Sequence, residues 1–278
     1  MLSVLKIGGS ILRKRGDYAI VARFLADRLA QRPAERLVVI VSAQYGVTDG
    51  LLAEATEILA TDEHGSTLIT DQHRSTPLPA ETLDLLWSTG EIRSVALLAL
   101  HLERLGVHPA ALNVHQAGLT VSDGAAAGVV DVRPLHLLSA LGRARIAIVP
   151  GFFAVRPGGA IASLGRGGSD LTAVLLASAL RAEACELVKD VPGYFTADPR
   201  VHADAAPIHQ LAIDDALAMA ADGCDLVQPA ALVAARDAAL TIVVRSLDSS
   251  AHVTFLLPRS AAHGVRNEDD SRRAAVGA

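Results

Sequence analysis

The sequence predicts an α/β fold, a three-layer αβα sandwich built on a mostly parallel sheet. Three observations predict it. Short β-branched runs alternate with longer segments of helical periodicity, the pattern of strands joined by helical crossovers. The run Leu37–Val41 is continuously apolar, long enough for a strand covered on both faces and too short for a helix. Glycine-rich segments follow predicted strands, where open α/β sheets bind their ligands.

In chain order, Ser3–Ile7 is apolar and opens the chain as a strand. Ile20, Val21, Phe24, Leu25 and Leu29 recur at helical spacing and predict a helix over Tyr18–Gln31. After the Leu37–Val41 strand, Asp49 is placed to cap a helix over Gly50–Ala60. Residues Thr61–Pro79 are polar, with two prolines, and read as an excursion or lid. Ala80–Leu105 is helical in pattern, with a break expected near Ser88-Thr89-Gly90. Further strands are expected at Ala110–Val114, Ile146–Val149, Ala184–Val188 and Thr241–Val244. Helices are expected at Leu135–Leu141, Asp170–Leu180, Ile213–Ala221 and Pro229–Ala238. Residues 1–257 form the expected folded unit, and 258–278, charged and then small, a flexible tail.

The 278 residues carry 51% hydrophobic and 20% charged side chains, which excludes disorder over most of the chain. A net charge of −5 and 3% aromatic content give no reason to expect a nucleic-acid partner. The longest apolar runs are interrupted too soon to span a bilayer, and no signal peptide is visible, so neither a membrane nor an export route is expected. Cys185 and Cys224 make neither a disulfide framework nor a zinc site, which fits a reducing, cytoplasmic setting. The histidines show no spacing suited to a metal, and no protein-held metal is expected. There are 22 arginines but only three lysines, Lys6, Lys14 and Lys189, so each lysine carries more information than usual.

Three segments carry chemistry. Lys6-Ile7-Gly8-Gly9-Ser10 follows the first strand; its glycines let backbone N–H groups approach phosphate oxygens, and Lys6 adds a charge against a transferring phosphoryl group. Alone, this segment is equally an ordinary glycine turn. Gly165-Arg166-Gly167-Gly168-Ser169-Asp170 precedes a helix. Ser169 or Asp170 stands where an N-cap belongs, and Arg166 offers a planar fork to an anion. Lys189-Asp190-Val191-Pro192-Gly193-Tyr194, running on to Asp198-Pro199-Arg200, begins at a strand's carboxyl end. Neither a Walker A nor a dinucleotide fingerprint is present.

These segments, with Val41–Asp49, Ser88-Thr89-Gly90-Glu91 and Pro150-Gly151-Phe152, resemble the catalytic domain of aspartate kinase, within the amino-acid kinase family. The resemblance is collinear over about 250 residues. It implies an ATP-dependent transfer to the side-chain carboxylate of aspartate, with Mg2+ between the nucleotide phosphates. Lys6 would bridge the transferring phosphate, cradled by Gly8, Gly9 and Ser10. Thr48, Glu91, Arg166, Ser169 and Asp170 would hold the amino acid, Arg166 at its α-carboxylate and Glu91 at its ammonium. Lys189, Asp190, Tyr194, Asp198 and Arg200 would line the nucleotide. The acid substrate would lie in residues 1–165 and the nucleotide in 166–257, and a homodimer is expected.

Two departures qualify the resemblance. Relatives usually carry a lysine in a Gly-Ala-Lys-Val-Leu-His-Pro segment; here Gly223-Cys224-Asp225-Leu226-Val227-Gln228-Pro229 puts Asp225 there. Lys189 lies where many relatives have threonine, and either supplies the lost charge or leaves nucleotide binding weakened. The roughly 35 residues after Val244 are too few for the regulatory ACT domains that relatives append, so feedback through such domains is not expected. Two other readings stay open: a kinase of another small acid, phosphate or phosphonate, for which Gln44-Tyr45, Asp225 and the polar segment Thr61–Pro79 leave room, and a weakly active or non-catalytic nucleotide-binding homologue.

Overall fold

The computed structural model describes residues 1–60, 80–122, 130–183, 185–248 and 250–258. The expected lid at 61–79 and the tail from 259 onward lie outside the described residues. The chain runs β1 (Leu2–Ile7), α1 (Asp17–Gln31), β2 (Arg36–Val41), α2 (Val47–Ala60), α3 (Ala80–Glu103) and β3 (Ala110–Ala111). It continues through α4 (Val114–Ala117), β4 (Leu119–Val121), β5 (Val130–Val132), α5 (Leu135–Arg143) and β6 (Ile146–Pro150). Then come β7 (Phe153–Val155), β8 (Ile161–Ser163), α6 (Gly168–Ala179), β9 (Cys185–Val188) and β10 (Gln210–Ala212). It closes with α7 (Ile213–Ala221), α8 (Pro229–Asp237), β11 (Ile242–Arg245) and β12 (Thr254–Leu257).

Eight strands form the main sheet in the order β10-β12-β11-β9-β1-β2-β6-β3. All its pairings are parallel except β11 with β12. Side-chain alternation divides each central strand between two cores. Leu5 and Ile7 of β1 pack with α1 and α3 on one face. Val4, with Cys185 and Leu187 of β9, packs with α6 and α8 on the other. This is the expected three-layer sandwich, and its two-sided burial explains the continuous apolar strand sequences. A second sheet, β5-β4-β7-β8, was not expected; its strands have three residues each, too short for periodicity to register.

Strand order locates the functional edge. From β1 the chain builds outward through β2 and β6, then returns to place β9 on the opposite side of β1. The order therefore reverses between β1 and β9, and ligands of open α/β sheets bind at the carboxyl side of such a reversal.

Several local expectations need correction. Helix α3 is unbroken: the Ser88 and Thr89 hydroxyls donate back to the Leu85 and Leu86 carbonyls at 2.7 and 2.6 Å. Gly90 is there for close packing, since a Cβ on it would lie 3.1 Å from Ala43 Cβ and 3.2 Å from Val47 Cγ1. The strand expected over Ala110–Val114 stops at Ala111, because Asn113 and Gln116 form a capping box that starts α4. Asp49 lies inside the first turn of α2, not before it. Likewise α6 begins at Gly168, capped by Gly167 at φ 75° with no side-chain hydrogen bond. Ser169 and Asp170 are thus helical residues, and the Asp170 carboxylate is free for the cleft.

Candidate active site

A cleft of about 410 Å³ opens at the carboxyl ends of β1, β2 and β9. It gathers Lys6, Gly9, Ser10, Thr48, Glu91, Ser169, Asp170 and Lys189, eight of the residues expected from sequence. A larger cleft, about 550 Å³, lies at the other end of the sheet near Ile146. There Arg145 donates to the Leu29 and Arg32 carbonyls at the end of α1, both at 2.9 Å, a helix-capping role. The smaller cleft holds the reactive groups.

Three charged side chains meet in its floor. Lys6 Nζ lies 2.8 Å from Asp170 Oδ1, and Lys189 Nζ lies 2.7 Å from Asp170 Oδ2. Alternation explains the meeting. Lys6 shares its strand face with Val4, and Lys189 continues the face of Cys185 and Leu187, so both point toward α6. Burial pushes the Asp170 carboxyl up, but the two ammonium charges outweigh it and hold the pKa at about 2. Asp170 is therefore a fixed counter-charge and no proton acceptor near neutral pH. Lys189 is pushed down, first by burial and then by Lys6, with Asp170 opposing.

The glycine loop crosses above this cluster. Gly8 N–H donates to the Val188 carbonyl at 3.4 Å, and Ile11 and Leu12 N–H close turns onto Gly8 and Gly9 at 3.1 and 3.0 Å. Among the described residues the Gly9 and Ser10 amides have no such partner. A Cβ on Gly9 would come 2.8 Å from the Ala43 carbonyl oxygen, so only glycine fits without a shift. Ser10 Oγ donates to Asp190 Oδ1 at 3.1 Å, and Arg13 reaches Asp190 at 3.5 Å. Asp190 is thereby tied to the rim.

At the other side of the cleft, Glu91 of α3 is buried. Its Oε1 accepts from the Ala43 N–H at 3.2 Å, while Oε2 is buried without a hydrogen-bond partner. Burial pushes its pKa up to about 7, against the lowering effect of that backbone N–H. An unpartnered buried carboxylate oxygen is costly unless a ligand donor meets it.

Six expected residues do not line the cleft: Asp190, held at the rim, and Tyr194, Asp198, Arg200, Arg166 and Gly8. Tyr194 is buried in the core beside α7 and α8. Its position follows from the Tyr194 N–H donating to Thr254 Oγ1 at 2.8 Å, which draws the chain inward under β12. Asp198 and Arg200 pair with each other at 2.8 Å on an exposed loop. Arg166 is exposed on the loop before α6 and is not part of the lining. Gly8 sits just behind the lining; a Cβ on it would meet Lys6 Nζ at 3.3 Å.

The structure adds Gln228 and Phe152 to the cleft. Gln228 precedes α8 and packs so close to Gly167 that a Cβ there would fall 2.1 Å from Gln228 Cγ. Its only sequence signal was membership of the segment containing Asp225, which itself lies exposed in the turn before α8. Phe152 holds φ at 75°, a conformation uncommon outside glycine, with its N–H on Thr172 Oγ1 at 3.2 Å. Among the described residues no group of three or more His, Cys, Asp or Glu could hold a metal ion. No helix among them is long and apolar enough to cross a membrane.

Comparison with known proteins agrees with this geometry. The sequence profile of the amino acid kinase family matches residues 1–246. An aspartokinase of Thermus thermophilus is 35% identical over 249 residues, 88% of this chain and 56% of that protein. The chain spans about half the length of the curated relatives it matches. Among solved structures, aspartate kinase from Synechocystis aligns at TM-score 0.74 and 30% identity, over 93% of this chain and 40% of that one. Aspartokinase III of E. coli, in complex with aspartate and ADP, aligns at TM-score 0.76 and 26% identity, over 93% and 65%. The doubly covered sheet, the glycine loop over the two lysines and a profile match across nearly the whole described chain lead to one conclusion: the chain belongs to the amino acid kinase family.

Proposed function

We propose that this chain transfers the γ-phosphoryl group of ATP to the side-chain carboxylate of L-aspartate, giving 4-phospho-L-aspartate and ADP. One observation carries the reading: a single cleft has two lysine ammoniums at one side and a buried, partly unsatisfied carboxylate, Glu91, at the other. Cations suit the phosphates and Glu91 suits an ammonium group. A neighbour of the same fold is described with aspartate and ADP together, which supports the pairing.

In this reading a carboxylate oxygen of the substrate attacks the γ-phosphorus, and the bond to the β–γ bridging oxygen breaks with its electron pair leaving on ADP. The attacking carboxylate is already ionised at neutral pH, so no protein base is needed. Lys6 and the Gly9 and Ser10 amides neutralise charge on the transferring group, and catalysis rests on positioning and electrostatics. Mg2+ would enter with the nucleotide and supply charge neutralisation between its phosphates. Asp170 is engaged by both lysines, so the described residues fit a phosphate-borne ion better than one held by protein carboxylates. The acid substrate would lie on the Thr48–Glu91 side, within residues 1–165, and the nucleotide along residues 166–257.

A second acceptor class has its own observation. Tyr45 is exposed in the cleft, with the Arg13 guanidinium 5.6 Å from its ring centroid. Gln44 ties the same loop to Arg13 at 3.1 Å and Arg93 at 3.3 Å. This rim is bulky and basic, which suits another small acid, phosphate or phosphonate. ADP release across a panel of amino acids and small acids, with hydroxylamine trapping acyl phosphates, separates the two. Hydroxamate on aspartate supports the first; ADP release only with a non-carboxylate acceptor replaces it with the second. ATP binding without turnover on any acceptor leaves a nucleotide-binding homologue.

A further inference from the structure

We infer that Lys189 is a second phosphate-contacting cation of this cleft, and that Lys6 and Lys189, held side by side on Asp170, form a two-ammonium clamp for an oligophosphate. The inference rests on the proposal that the cleft handles phosphate, and it decides between the two consequences of Asp225 left open by the sequence.

β9 pairs with β1 so that Leu187 stands opposite Lys6 and Val188 opposite Ile7. Lys189 therefore leaves the sheet level with Gly8, at the foot of the glycine loop. Its ammonium reaches the same carboxylate as Lys6, from the neighbouring strand, inside the same cleft. The two ammoniums occupy different oxygens of one rigid carboxylate, which fixes their separation before any ligand arrives.

Lys6 and Lys189 side chains are only 9% and 12% exposed, and Asp170 is the one carboxylate paired with either among the described residues. Asp190 is engaged instead by Ser10 and Arg13. Glu91 makes no ion pair and bonds the Ala43 amide. Two positive charges against one negative leave a nearly buried surplus cation. If Lys189 served only to neutralise Asp170, Lys6 would already suffice, and the second lysine would add desolvation and repulsion for no return. An anion in the cleft removes that cost, and the unpartnered Gly9 and Ser10 amides offer it N–H groups from above.

Asp225 stands away from the cleft lining. It lies exposed in the turn before α8, outside the cleft lining, so it neither occupies the phosphate position nor pairs with Lys189. The segment before α8 contributes Gln228 to the cleft in place of a charge. The lysines in the cleft lining are thus Lys6 and Lys189, and the segment before α8 brings none.

The test uses the full chain and inorganic tripolyphosphate, followed by calorimetry. Lys189→Met, which keeps the length of the side chain and removes the charge, is expected to weaken tripolyphosphate binding at least tenfold. Lys189→Arg should stay within about threefold of the native chain, the guanidinium keeping the charge. Unchanged binding by a folded Lys189→Met protein overturns the inference. Should that variant not fold, the native chain supplies the test, because only Lys6, Lys14 and Lys189 can react with an amine-acetylating reagent besides the N-terminus. Tripolyphosphate should slow acetylation at Lys6 and Lys189 and leave exposed Lys14 unchanged. Equal labelling of Lys189 with and without tripolyphosphate overturns the inference. The aspartate assay separates it from the reading beneath it. Lys189-dependent tripolyphosphate binding without aspartate turnover keeps the clamp and removes the substrate. Native KM for ATP in Lys189→Met, with aspartate still phosphorylated, does the reverse.

Discussion

In the proposed reading, Glu91 is a buried carboxyl kept for the substrate ammonium at the expense of stability. Its pKa, raised to about 7 mainly by burial, lies above the ordinary value of 4.5. The sign follows from linkage: its contribution to stability is fully present below pH 4.5 and lost as pH rises through about 7, on the order of 3 kcal/mol in all. Glu91→Gln should therefore make the protein more resistant to urea at pH 8 by roughly 1–3 kcal/mol, with little gain at pH 5. It should also abolish amino-acid binding, read by calorimetry. In the native protein the amino-acid KM should rise as pH falls below 7, because a protonated Glu91 no longer attracts an ammonium. Asp170 has the opposite sign. Two lysines hold its pKa at about 2 against the upward push of burial, so its stabilisation is present above pH 3.8 and lost as pH falls through 2. Asp170→Asn would leave two nearly buried ammoniums without a counter-ion, and the expected loss at pH 7 is about 3–5 kcal/mol, measured as a denaturant midpoint. Lys6→Ala should lower kcat by about two to three orders of magnitude while leaving aspartate affinity nearly unchanged; a near-native rate would remove Lys6 from the transition state.

The elements are positioned by close backbone approaches that only glycine permits. Gly151 follows β6, and a Cβ on it would lie 2.7 Å from Ser169 Oγ and 2.9 Å from Ile40 Cγ2. The first turn of α6, which carries Asp170, is therefore seated directly on the end of the sheet. Gly151→Ala should push this turn away, costing about 1–3 kcal/mol and lowering turnover more than its stability loss explains. Gly16 precedes α1 at φ −65° with open space around its Cβ position. Gly16→Ala should change stability by no more than about 0.5 kcal/mol, which makes it the control in the same urea series. A buried ionic group of different purpose ties α1 to the sheet. Arg28 is bonded to Glu35 at 2.7 and 2.9 Å and to Glu186 at 2.6 and 2.8 Å. It was not visible in the sequence, because Arg28 on α1 and Glu35 before β2 meet Glu186 of β9, about 150 residues further on.

At the scale of the whole molecule, several large apolar side chains of the helical layer are exposed. Leu85, Ile92 and Leu100 recur at helical spacing on α3 and are exposed, as are Ile58 and Leu59 on α2. A homodimer through this side is the expected outcome, since exposed apolar side chains of this kind mark association surfaces. Sedimentation at micromolar concentration should give twice the chain mass, and Leu85→Glu with Leu100→Glu should give the monomer. A native monomer would count against the dimer.

The α/β class, the order of most helices and the glycine segments were legible in the sequence, because periodicity and glycine chemistry act over a few neighbouring residues. Lys6, Glu91 and Lys189 were legible as well, through the segments that contain them. Local signals failed where a distant partner intervened. The Ser88-Thr89-Gly90 segment looked like a break, but its hydroxyls bond within α3 and its glycine fits against Ala43. Tyr194 looked like a nucleotide contact, but Thr254, 60 residues away, draws it into the core. The sequence alone determined which residues were chemically capable of handling phosphate and an amino group. Tertiary structure alone decided which of them meet, because the reversal of strand order at β1 and β9 brings Lys6 and Lys189 to one carboxylate and leaves Arg166, Asp198 and Arg200 on exposed loops.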